Sequence, residues 1–364
     1  MKTLILTNFD LGLYQFRREL VKELLKQGDV YISLPYGELV DKLVEDGCKF
    51  IETPLDRRGM NPVKDLALIR FYISKIKKLK PDVVLTYTIK PNVYGGMVCG
   101  MLNVPYLSNI TGLGTSIQNG GPVAKLSLTL YRAGLKKTRC AFFQNQTNRH
   151  FFVTEGIAKG KTRLVPGSGV NLQQHCAEPY PDEKDGIRFL FVGRIMRDKG
   201  IGELLEAFKS IHSRYPYVTI DVIGPEEEDY TAAFTEAGNA VKYLGPQTGM
   251  HQFYKNCHCV VLPSYHEGTA NVMLEASATA RPVITTTVPG CRETFDEGIT
   301  GFGCEARNAE SLVTAIEKFL KLTQEERKQM GLAARAKMER EYDRSLVIKA
   351  YKEEIELIEK EAER

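Results

Sequence analysis

Two glutamates, Glu267 and Glu275, bracket a small glycine-containing stretch, YHEGTANVMLE, with seven residues between them. A carboxylate can accept hydrogen bonds from two hydroxyl groups, and a ribose or hexose diol offers such a pair. The pattern CHCVVLPS predicts a strand, YHEGTA a turn and NVMLEASATA a helix. The two carboxylates are therefore expected on either side of a helix N-terminus.

The start of that predicted helix is suited to anionic oxygen, because its first backbone N–H groups have no acceptor within the helix. The residues expected to present backbone N–H groups to a ligand there are Thr269, Ala270, Asn271 and Val272. Simpler readings exist for both acids. Glu267 would interact favourably with the helix dipole, and Glu275 would lie on a solvated helix face.

A second group of candidate ligand-binding residues lies in FLFVGRIMRDKGI, residues 189–201. The apolar run predicts a strand that ends at Gly193, followed by Arg194 in a loop and by Lys199 at the start of a helix. Ligands of open α/β sheets bind outside the carboxyl ends of the strands. An arginine that binds two oxygens at once and a lysine that supplies a point charge suit a diphosphate. The alternative is an exposed loop with incidental basic residues.

Strand and helix patterns alternate along the chain. This alternation predicts parallel sheets that are covered by helices on both faces and that position the residues described above. Residues 1–170 are predicted to form a first doubly wound, Rossmann-like domain, and residues 187–342 a second. Between them, 171–186 has the Pro, Asp and Glu content of a linker. Residues 343–364 predict a long amphipathic helix that returns to the first domain.

Composition favours an ordinary folded protein: 364 residues, 43% hydrophobic and 26% charged. The start, MKTLILTNFD, is too short in apolar residues for a signal peptide, and no apolar run is long enough to span a bilayer. A cytoplasmic location is expected. Residues 1–170 carry 25 Lys and Arg against 13 Asp and Glu, whereas the remainder is acidic.

Neither of two segments that contain metal-ligand residue types predicts a metal site. Three consecutive ligands in CHC, 257–259, do not easily reach one tetrahedral ion, and the run continues into a strand. The acidic run PEEED, 225–229, is more simply a solvated loop. The sequence contains no Asp-x-Asp pair, so no metal and no other cofactor is expected.

The combination Gly-Arg…Lys-Gly, followed some seventy residues later by two glutamates with seven residues between them, resembles glycosyltransferase family 4, whose members are retaining enzymes of the GT-B fold. The resemblance covers essentially the whole chain. It implies two Rossmann-like domains that face each other across a cleft. It also implies that Arg194 and Lys199 hold the donor diphosphate, Glu267 contacts the donor sugar as a third catalytic residue, and Glu275 binds the ribose. The turn from Gly268 to Asn271 would lend backbone amides to the sugar and phosphates.

The same resemblance implies a glycine loop from the first domain, which NFDLGLYQFRREL supplies, with Gly12 at the turn and Arg17 on the following helix. Many members carry a histidine after the fourth strand, where this chain has TYTIKPNVYGG without one. Lys90 and Asn92 are the candidates there for phosphate or acceptor contact. The stretches YTIKPN and NITGLG resemble the corresponding segments of bacterial enzymes that extend capsule or O-antigen units on a polyprenyl diphosphate carrier.

The expected activity is transfer of a hexose or N-acetylhexosamine from a UDP-sugar to a lipid-linked saccharide. A UDP-sugar epimerase of the same architecture and a non-catalytic sugar-nucleotide-binding protein are the alternatives. Nucleic acid is disfavoured, because the basic segments lack interleaved aromatic residues. The basic and apolar segments 70–80 and 124–139 favour docking of the first domain on the inner leaflet of the cytoplasmic membrane; solvated helix faces are the alternative.

Overall fold

A computed structural model describes residues 1–55, 61–112, 117 and 120–363. The chain forms two compact units, Met1–Ser168 together with Ser345–Arg364, and Gly169–Arg344. Each unit is a parallel sheet with helices packed on it, so the predicted pair of Rossmann-like folds is confirmed. Of the NITGLG stretch, the last two residues lie outside the described part of the chain.

The first unit is built on a parallel sheet that has seven strands across its described residues, in the order β3-β2-β1-β4-β5-β6-β7. The strands are β1 (Lys2–Leu6), β2 (Asp29–Leu34), β3 (Lys49–Glu52), β4 (Val83–Tyr87), β5 (Tyr106–Ile110), β6 (Cys140–Phe143) and β7 (Thr162–Leu164). The helices are α1 (Asp10–Leu25), α2 (Leu39–Glu45), α3 (Pro62–Leu79), α4 (Gly96–Leu102), α5 (Gly121–Leu135) and α6 (Gln146–Thr154).

The central strands β4 and β5 are buried at every position, because helices cover both faces of the sheet. This burial explains the apolar run Val-Val-Leu in β4, whereas β5 also contains the buried polar residues Ser108 and Asn109. The start of α3 also follows from local chemistry: the Asn61 side chain accepts hydrogen bonds from the N–H groups of Val63 and Lys64, and Pro62 occupies the first helical position.

The second unit contains a six-stranded parallel sheet within its described residues, in the order β10-β9-β8-β11-β12-β13. The strands are β8 (Ile187–Val192), β9 (Val218–Ile223), β10 (Val241–Tyr243), β11 (Cys259–Leu262), β12 (Val283–Thr286) and β13 (Gly301–Cys304). The helices are α7 (Ile201–Arg214), α8 (Thr231–Ala237), α9 (Met250–Asn256), α10 (Asn271–Ala278), α11 (Ala309–Leu320) and α12 (Gln324–Lys337).

The last helix, α13 (Arg344–Ala362), belongs to the first unit from Ser345 onward, as predicted. The ring of Tyr351 stacks on Phe142 with ring centroids 4.2 Å apart, and its hydroxyl accepts a hydrogen bond of 2.8 Å from the Asn109 side chain. Tyr351 is fully buried. This helix therefore completes the core of the first unit.

The sequence predicts a linker at 171–186, but in the structure this segment belongs to the compact second unit. Arg281, which is fully buried, donates hydrogen bonds to the carbonyl oxygens of Glu178 and Pro179 at 3.1 and 2.8 Å. The proline and acidic content that suggested a free connection thus marks an irregular segment whose backbone carbonyls are bonded internally.

Candidate functional site

The candidate site lies at the point of the second sheet where the strand order reverses. The strand of this sheet that comes first in the chain, β8, lies between β9 and β11. Because β8 and β11 are parallel neighbours, the loops that follow them leave the sheet at the same edge. Ligands of open α/β sheets bind outside the carboxyl ends of strands at such a switch point.

The loop after β8 carries Arg194. At Gly193 the N–H donates to the Ile223 carbonyl at 2.9 Å, and a Cβ added to Gly224 would lie only 1.7 Å from the Gly193 oxygen. Glycine at 224 thus allows the loops after β8 and β9 to meet. The Arg194 guanidinium is half exposed and donates to a Glu227 carboxylate oxygen at 3.1 Å. Its charge is therefore held at this edge by an acid from the PEEED loop.

The loops after β8 and β11 are joined by backbone contacts. The N–H of Tyr265 donates to the Asp198 carbonyl at 2.9 Å. Gly200 adopts a φ of +71° at the start of α7, and a Cβ there would lie 2.2 Å from the Pro263 oxygen. A side chain at 200 would meet both backbone strain and a clash. The Lys-Gly pair therefore reflects a close approach that fixes the preceding lysine.

Lys199 and Glu267 meet directly. The Lys199 ammonium forms an ion pair with Glu267 Oε1, and each side chain is only 17% exposed. The Ser264 hydroxyl donates to the same carboxylate oxygen at 2.9 Å. Because the pair is partly shielded from water, its attraction is stronger than that of a fully exposed pair. The structure thus brings together one cation and one anion that lie far apart in the sequence.

The turn after Glu267 is held against a glycine that sequence reasoning missed. Gly290 follows β12 and has a φ of +86°; a Cβ there would lie 2.4 Å from the Glu267 carbonyl oxygen. The Gly290 carbonyl accepts a hydrogen bond of 2.8 Å from the N–H of Ala270. The Pro-Gly dipeptide at 289–290 was the available signal, since such dipeptides mark turns.

The N-terminus of α10 is a partial match to the prediction. The helix begins at Asn271, but the N–H of Ala270 already bonds to Gly290, so Ala270 does not offer this group to a ligand. Asn271 and Val272 lie in the first turn, whose N–H groups lack intrahelical acceptors. Asn271 Oδ1 is buried without a hydrogen-bond partner among the described residues. Buried polar atoms are normally bonded, so this oxygen suits a donor group of a ligand.

Glu275 lies inside α10 and is not on a solvated face. Its Oε2 accepts a hydrogen bond of 2.7 Å from the hydroxyl of Tyr254, which is fully buried. Burial raises the pKa of the Glu275 carboxyl, and the hydrogen bond from Tyr254 opposes that rise. Sequence reasoning missed Tyr254, because its position on α9 gives no local signal of contact with α10.

In the first unit, Lys90 follows β4, next to the point where that sheet reverses its strand order. Its ammonium pairs with Asp65 at 2.9 Å, and both side chains are largely buried. The Tyr94 hydroxyl donates to the other oxygen of Asp65 at 2.9 Å. Lys90 is therefore a fixed cation near the carboxyl end of a central strand, and its charge is balanced by an internal acid.

Asn92 is placed differently from the prediction. Its side chain is 1% exposed; Oδ1 accepts from the Thr86 hydroxyl at 2.7 Å and Nδ2 donates to the Asn109 carbonyl at 2.8 Å. These bonds occupy both polar atoms and connect the ends of β4 and β5. Asn92 is therefore a structural residue in this unit, not one presented to an acceptor.

The predicted glycine loop is also corrected in part. Since α1 begins at Asp10, Gly12 lies within the first helical turn, and a Cβ there would meet only Phe9 at an ordinary 3.9 Å. The Arg17 side chain is 5% exposed, lies over the ring of Tyr87 at 5.5 Å and donates to the Phe16 carbonyl at 3.1 Å. Both of these contacts of Arg17 lie within the first unit.

The side chains of the PEEED and CHC segments have contacts within the second unit. In the PEEED loop, Glu228 accepts from the N–H of Arg197 at 2.8 Å, while Glu227 pairs with Arg194 as described above. Cys257 and Cys259 are buried, and burial raises the pKa of the Cys257 thiol to about 12. These cysteines are apolar core residues of the second unit, as the strand pattern predicted.

Two parallel sheets, each packed with helices, define a pair of Rossmann-like α/β units. Two family models match: "Glycosyl transferase 4-like" over residues 4–145 and "Glycosyl transferases group 1" over 177–337. The chain therefore belongs to the glycosyltransferases and has the GT-B fold.

Individual relatives agree with this assignment. The chain is 26% identical to an N,N'-diacetylbacillosaminyl-diphospho-undecaprenol alpha-1,3-N-acetylgalactosaminyltransferase of Campylobacter jejuni, over 96% of this chain and 97% of the relative. It is 32% identical to the capsular polysaccharide biosynthesis glycosyltransferase CapM of Staphylococcus aureus, over 56% and 57% of the two chains.

Solved structures share the fold. A glycosyltransferase from Rickettsia africae superposes with a TM-score of 0.77 at 20% identity, covering 98% of both chains. HepE from Anabaena, in complex with UDP-glucose, superposes with a TM-score of 0.79 at 17% identity, covering 97% of this chain and 98% of that chain.

Proposed function

We propose that this protein is a retaining glycosyltransferase of family 4 that moves a hexose or N-acetylhexosamine from a UDP-sugar to a polyprenyl-diphosphate-linked saccharide in bacterial surface polysaccharide synthesis. The observation that carries this proposal is the shielded pair of Lys199 and Glu267 at the switch point of the second sheet. The Campylobacter relative, named for an undecaprenyl-diphosphate-linked acceptor, supports the acceptor class.

The donor diphosphate is assigned to Lys199 and Arg194. In the structure both cations have carboxylate partners, Glu267 and Glu227. A bound diphosphate would exchange these partners for phosphate oxygens, and the freed Glu267 carboxylate would then accept hydrogen bonds from the sugar hydroxyls. Glu275 is assigned to the ribose diol, because its carboxylate is fixed by Tyr254.

The chemical step needs charge stabilised on the departing diphosphate. Fixed cations and a helix N-terminus at the leaving group can supply this stabilisation. In a front-face displacement the leaving oxygen accepts the acceptor's proton, so the proposed reaction uses neither a protein base nor a divalent ion. Lys90 is the candidate in the first unit for contact with a phosphate, since it is a fixed cation beside a sheet switch point.

One assay tests the activity. UDP release from UDP-sugars is measured with and without a polyprenyl-diphosphate-linked saccharide, after treatment with chelator and with Mg²⁺ or Mn²⁺ restored. Release that requires the acceptor, with an α-configured product from an α-configured donor, supports the proposal. Isomerised donor without transfer, or binding without turnover, would contradict it. A strict requirement for Mg²⁺ or Mn²⁺ would contradict metal independence.

Membrane association through the first unit is a further part of the proposal. Among the described residues, no helix is both long and apolar enough to cross a bilayer. Both α3 and α5 pack on α4 and expose apolar side chains near basic ones. The exposed apolar residues are Val63 and Leu66 on α3, and Val123 and Leu126 on α5. Each basic residue close to an anionic surface contributes about 1 kcal/mol.

Vesicle sedimentation tests this association. The protein should bind phosphatidylglycerol vesicles at low salt and bind phosphatidylcholine vesicles less. Leu126→Glu should weaken binding to the anionic vesicles. The matched control is Leu332→Glu, an exposed leucine of the second unit, which should not. Equal loss in both variants, or no binding by the parent protein, would rule out the proposed surface.

A further inference from the structure

A cluster of three metal-ligand side chains lies outside the sugar-nucleotide site. Cys176 and Glu178 belong to the irregular segment 171–186, and His251 is the second residue of α9. Cys176 Sγ lies 3.8 Å from His251 Nε2 and 3.9 Å from Glu178 Oε1. His251 Nε2 and Glu178 Oε1 are 2.8 Å apart. The sulfur of a cysteine, a ring nitrogen of a histidine and a carboxylate oxygen therefore lie close to one another.

We propose that Cys176, Glu178 and His251 bind a zinc ion, with a water molecule as the fourth ligand. Zinc binds Cys sulfur at about 2.3 Å and His nitrogen or carboxylate oxygen at about 2.0–2.2 Å, usually with tetrahedral geometry. Such bonds separate pairs of ligand atoms by roughly 3.4–3.6 Å. The two distances from Cys176 are slightly longer than this range and the distance between His251 and Glu178 is shorter, so side-chain shifts of about half an ångström would form the site.

The neighbouring charges assign one oxygen of Glu178 to the ion. Lys255, on the same helix as His251, lies 3.2 Å from Glu178 Oε2, which leaves Oε1 facing the cluster. Cys176 is exposed, which gives an ion access from solvent.

The site would fasten the irregular segment to α9. The Glu178 carbonyl already accepts a hydrogen bond from Arg281, and α9 carries Tyr254, which holds Glu275. Zinc bound here would act on the stability of this part of the second unit and would not take part in sugar transfer. The proposal is therefore independent of the catalytic assignment.

Thiol reactivity provides the test. All eight cysteines lie in the described part of the chain; seven are buried and Cys176 is exposed. In the native protein, Ellman's reagent should modify Cys176 rapidly and the other thiols slowly. One equivalent of Zn²⁺ should slow modification of Cys176 by about tenfold or more, because a metal-bound sulfur is no longer a free nucleophile. A chelating indicator gives the zinc affinity independently.

Variants decide whether these residues are the ligands. His251→Gln and Glu178→Gln should each weaken zinc affinity by about tenfold or more. Even mutation of a residue that only hydrogen-bonds to a metal ligand typically lowers metal affinity by about 10–100-fold. His150→Gln, an exposed histidine of the first unit, is the matched control and should bind zinc normally. Cys176→Ser changes only an exposed side chain, so this variant is expected to fold. Its zinc affinity can be measured with the indicator even if another variant does not fold.

The proposal is overturned by any of three results. Cys176 could react at the same rate with and without one equivalent of Zn²⁺. Protection could persist unchanged in His251→Gln. The Cys176→Ser protein could bind zinc as tightly as its parent.

Discussion

The Lys199 ammonium and the Glu267 carboxylate form an ion pair that is largely shielded from water, and the Ser264 hydroxyl donates to the same carboxylate oxygen. Each partner compensates the charge of the other, and the proposed donor would replace the two contacts with a phosphate and a sugar hydroxyl. This mutual compensation means that removing one partner also changes the state of the other.

Lys199→Ala should lower kcat by about 10²–10³-fold, the cost typical of losing one electrostatic contact to a transition state. Steady-state UDP release in the presence of acceptor gives this value. Lys209→Ala removes an exposed lysine that pairs with Glu236 and serves as the control, with activity like that of the parent. Near-normal kcat in Lys199→Ala would remove Lys199 from the proposed mechanism.

Gly290→Ala should lower both activity and stability. A Cβ at 290 would lie 2.4 Å from the Glu267 carbonyl oxygen and would displace the turn that positions this carboxylate. Gly298→Ala is a matched control, since Gly298 also has a positive φ, +72°, but has open space around its Cβ.

Both glycine variants carry the backbone strain of a left-handed residue, about 1–2 kcal/mol. Only Gly290→Ala should also lower kcat/KM, by about tenfold or more, because misplaced catalytic groups cost far more than their displacement suggests. Thermal unfolding and steady-state kinetics of the two variants separate these effects. Equal kinetic losses in both would show that Gly290 has no specific role in placing Glu267.

Glu275→Gln should alter the pH dependence of stability. Burial raises the pKa of this carboxyl in the folded protein. Its contribution to stability is therefore fully present below the ordinary pKa of glutamate and is lost as the pH rises through the raised value. The gain in Tm of Glu275→Gln over the parent should consequently be greater at pH 7 than at pH 5.

The measurement for Glu275 is thermal unfolding at the two pH values, with Glu356→Gln, an exposed glutamate, as the control. The control should shift Tm by a similar small amount at both. A gain for Glu275→Gln that is larger at pH 5 would mean that the ionised carboxylate is favoured in the folded state.

Asn92→Ala should destabilise the protein by about 1–3 kcal/mol, because it removes two buried hydrogen bonds and leaves the Asn109 carbonyl without this donor. The KM values for donor and acceptor should stay unchanged, since the side chain faces the interior. Denaturant unfolding and kinetics test both statements, with the exposed Asn239→Ala as the control. A raised acceptor KM without loss of stability would restore Asn92 as a binding residue.

The sequence predicts the fold well, because parallel strands such as β4 and β11 are buried on both faces and therefore have continuous apolar sequences. It does not predict β13, whose Gly-Phe-Gly-Cys sequence lacks the apolar run of a buried strand. The packed segment 171–186 was also missed, since its order comes from contacts with the distant Arg281.

Part of the site is predictable for a similar reason. Arg194 and Glu267 follow strands that prove to be neighbours, so the position of each at a strand end already implied a shared edge. Tyr254 and Gly290 were not predicted, because their contacts with Glu275 and Glu267 depend on packing between elements.

Arg17 and Asn92 were assigned to ligand contact by resemblance, whereas both side chains are buried in the first unit. Hydrogen bonds within this unit occupy both polar atoms of Asn92.

The hydrogen bond between Asn109 and Tyr351 joins residues 242 positions apart. At a translation rate of about 5–20 residues per second, the ribosome needs roughly 12–50 seconds after Asn109 to deliver Tyr351. During that interval the nascent first unit leaves the aromatic surface around Phe142 uncovered by α13, whose residues follow those of the second unit in the chain. The core of the first unit is therefore completed only after the second unit has been synthesised.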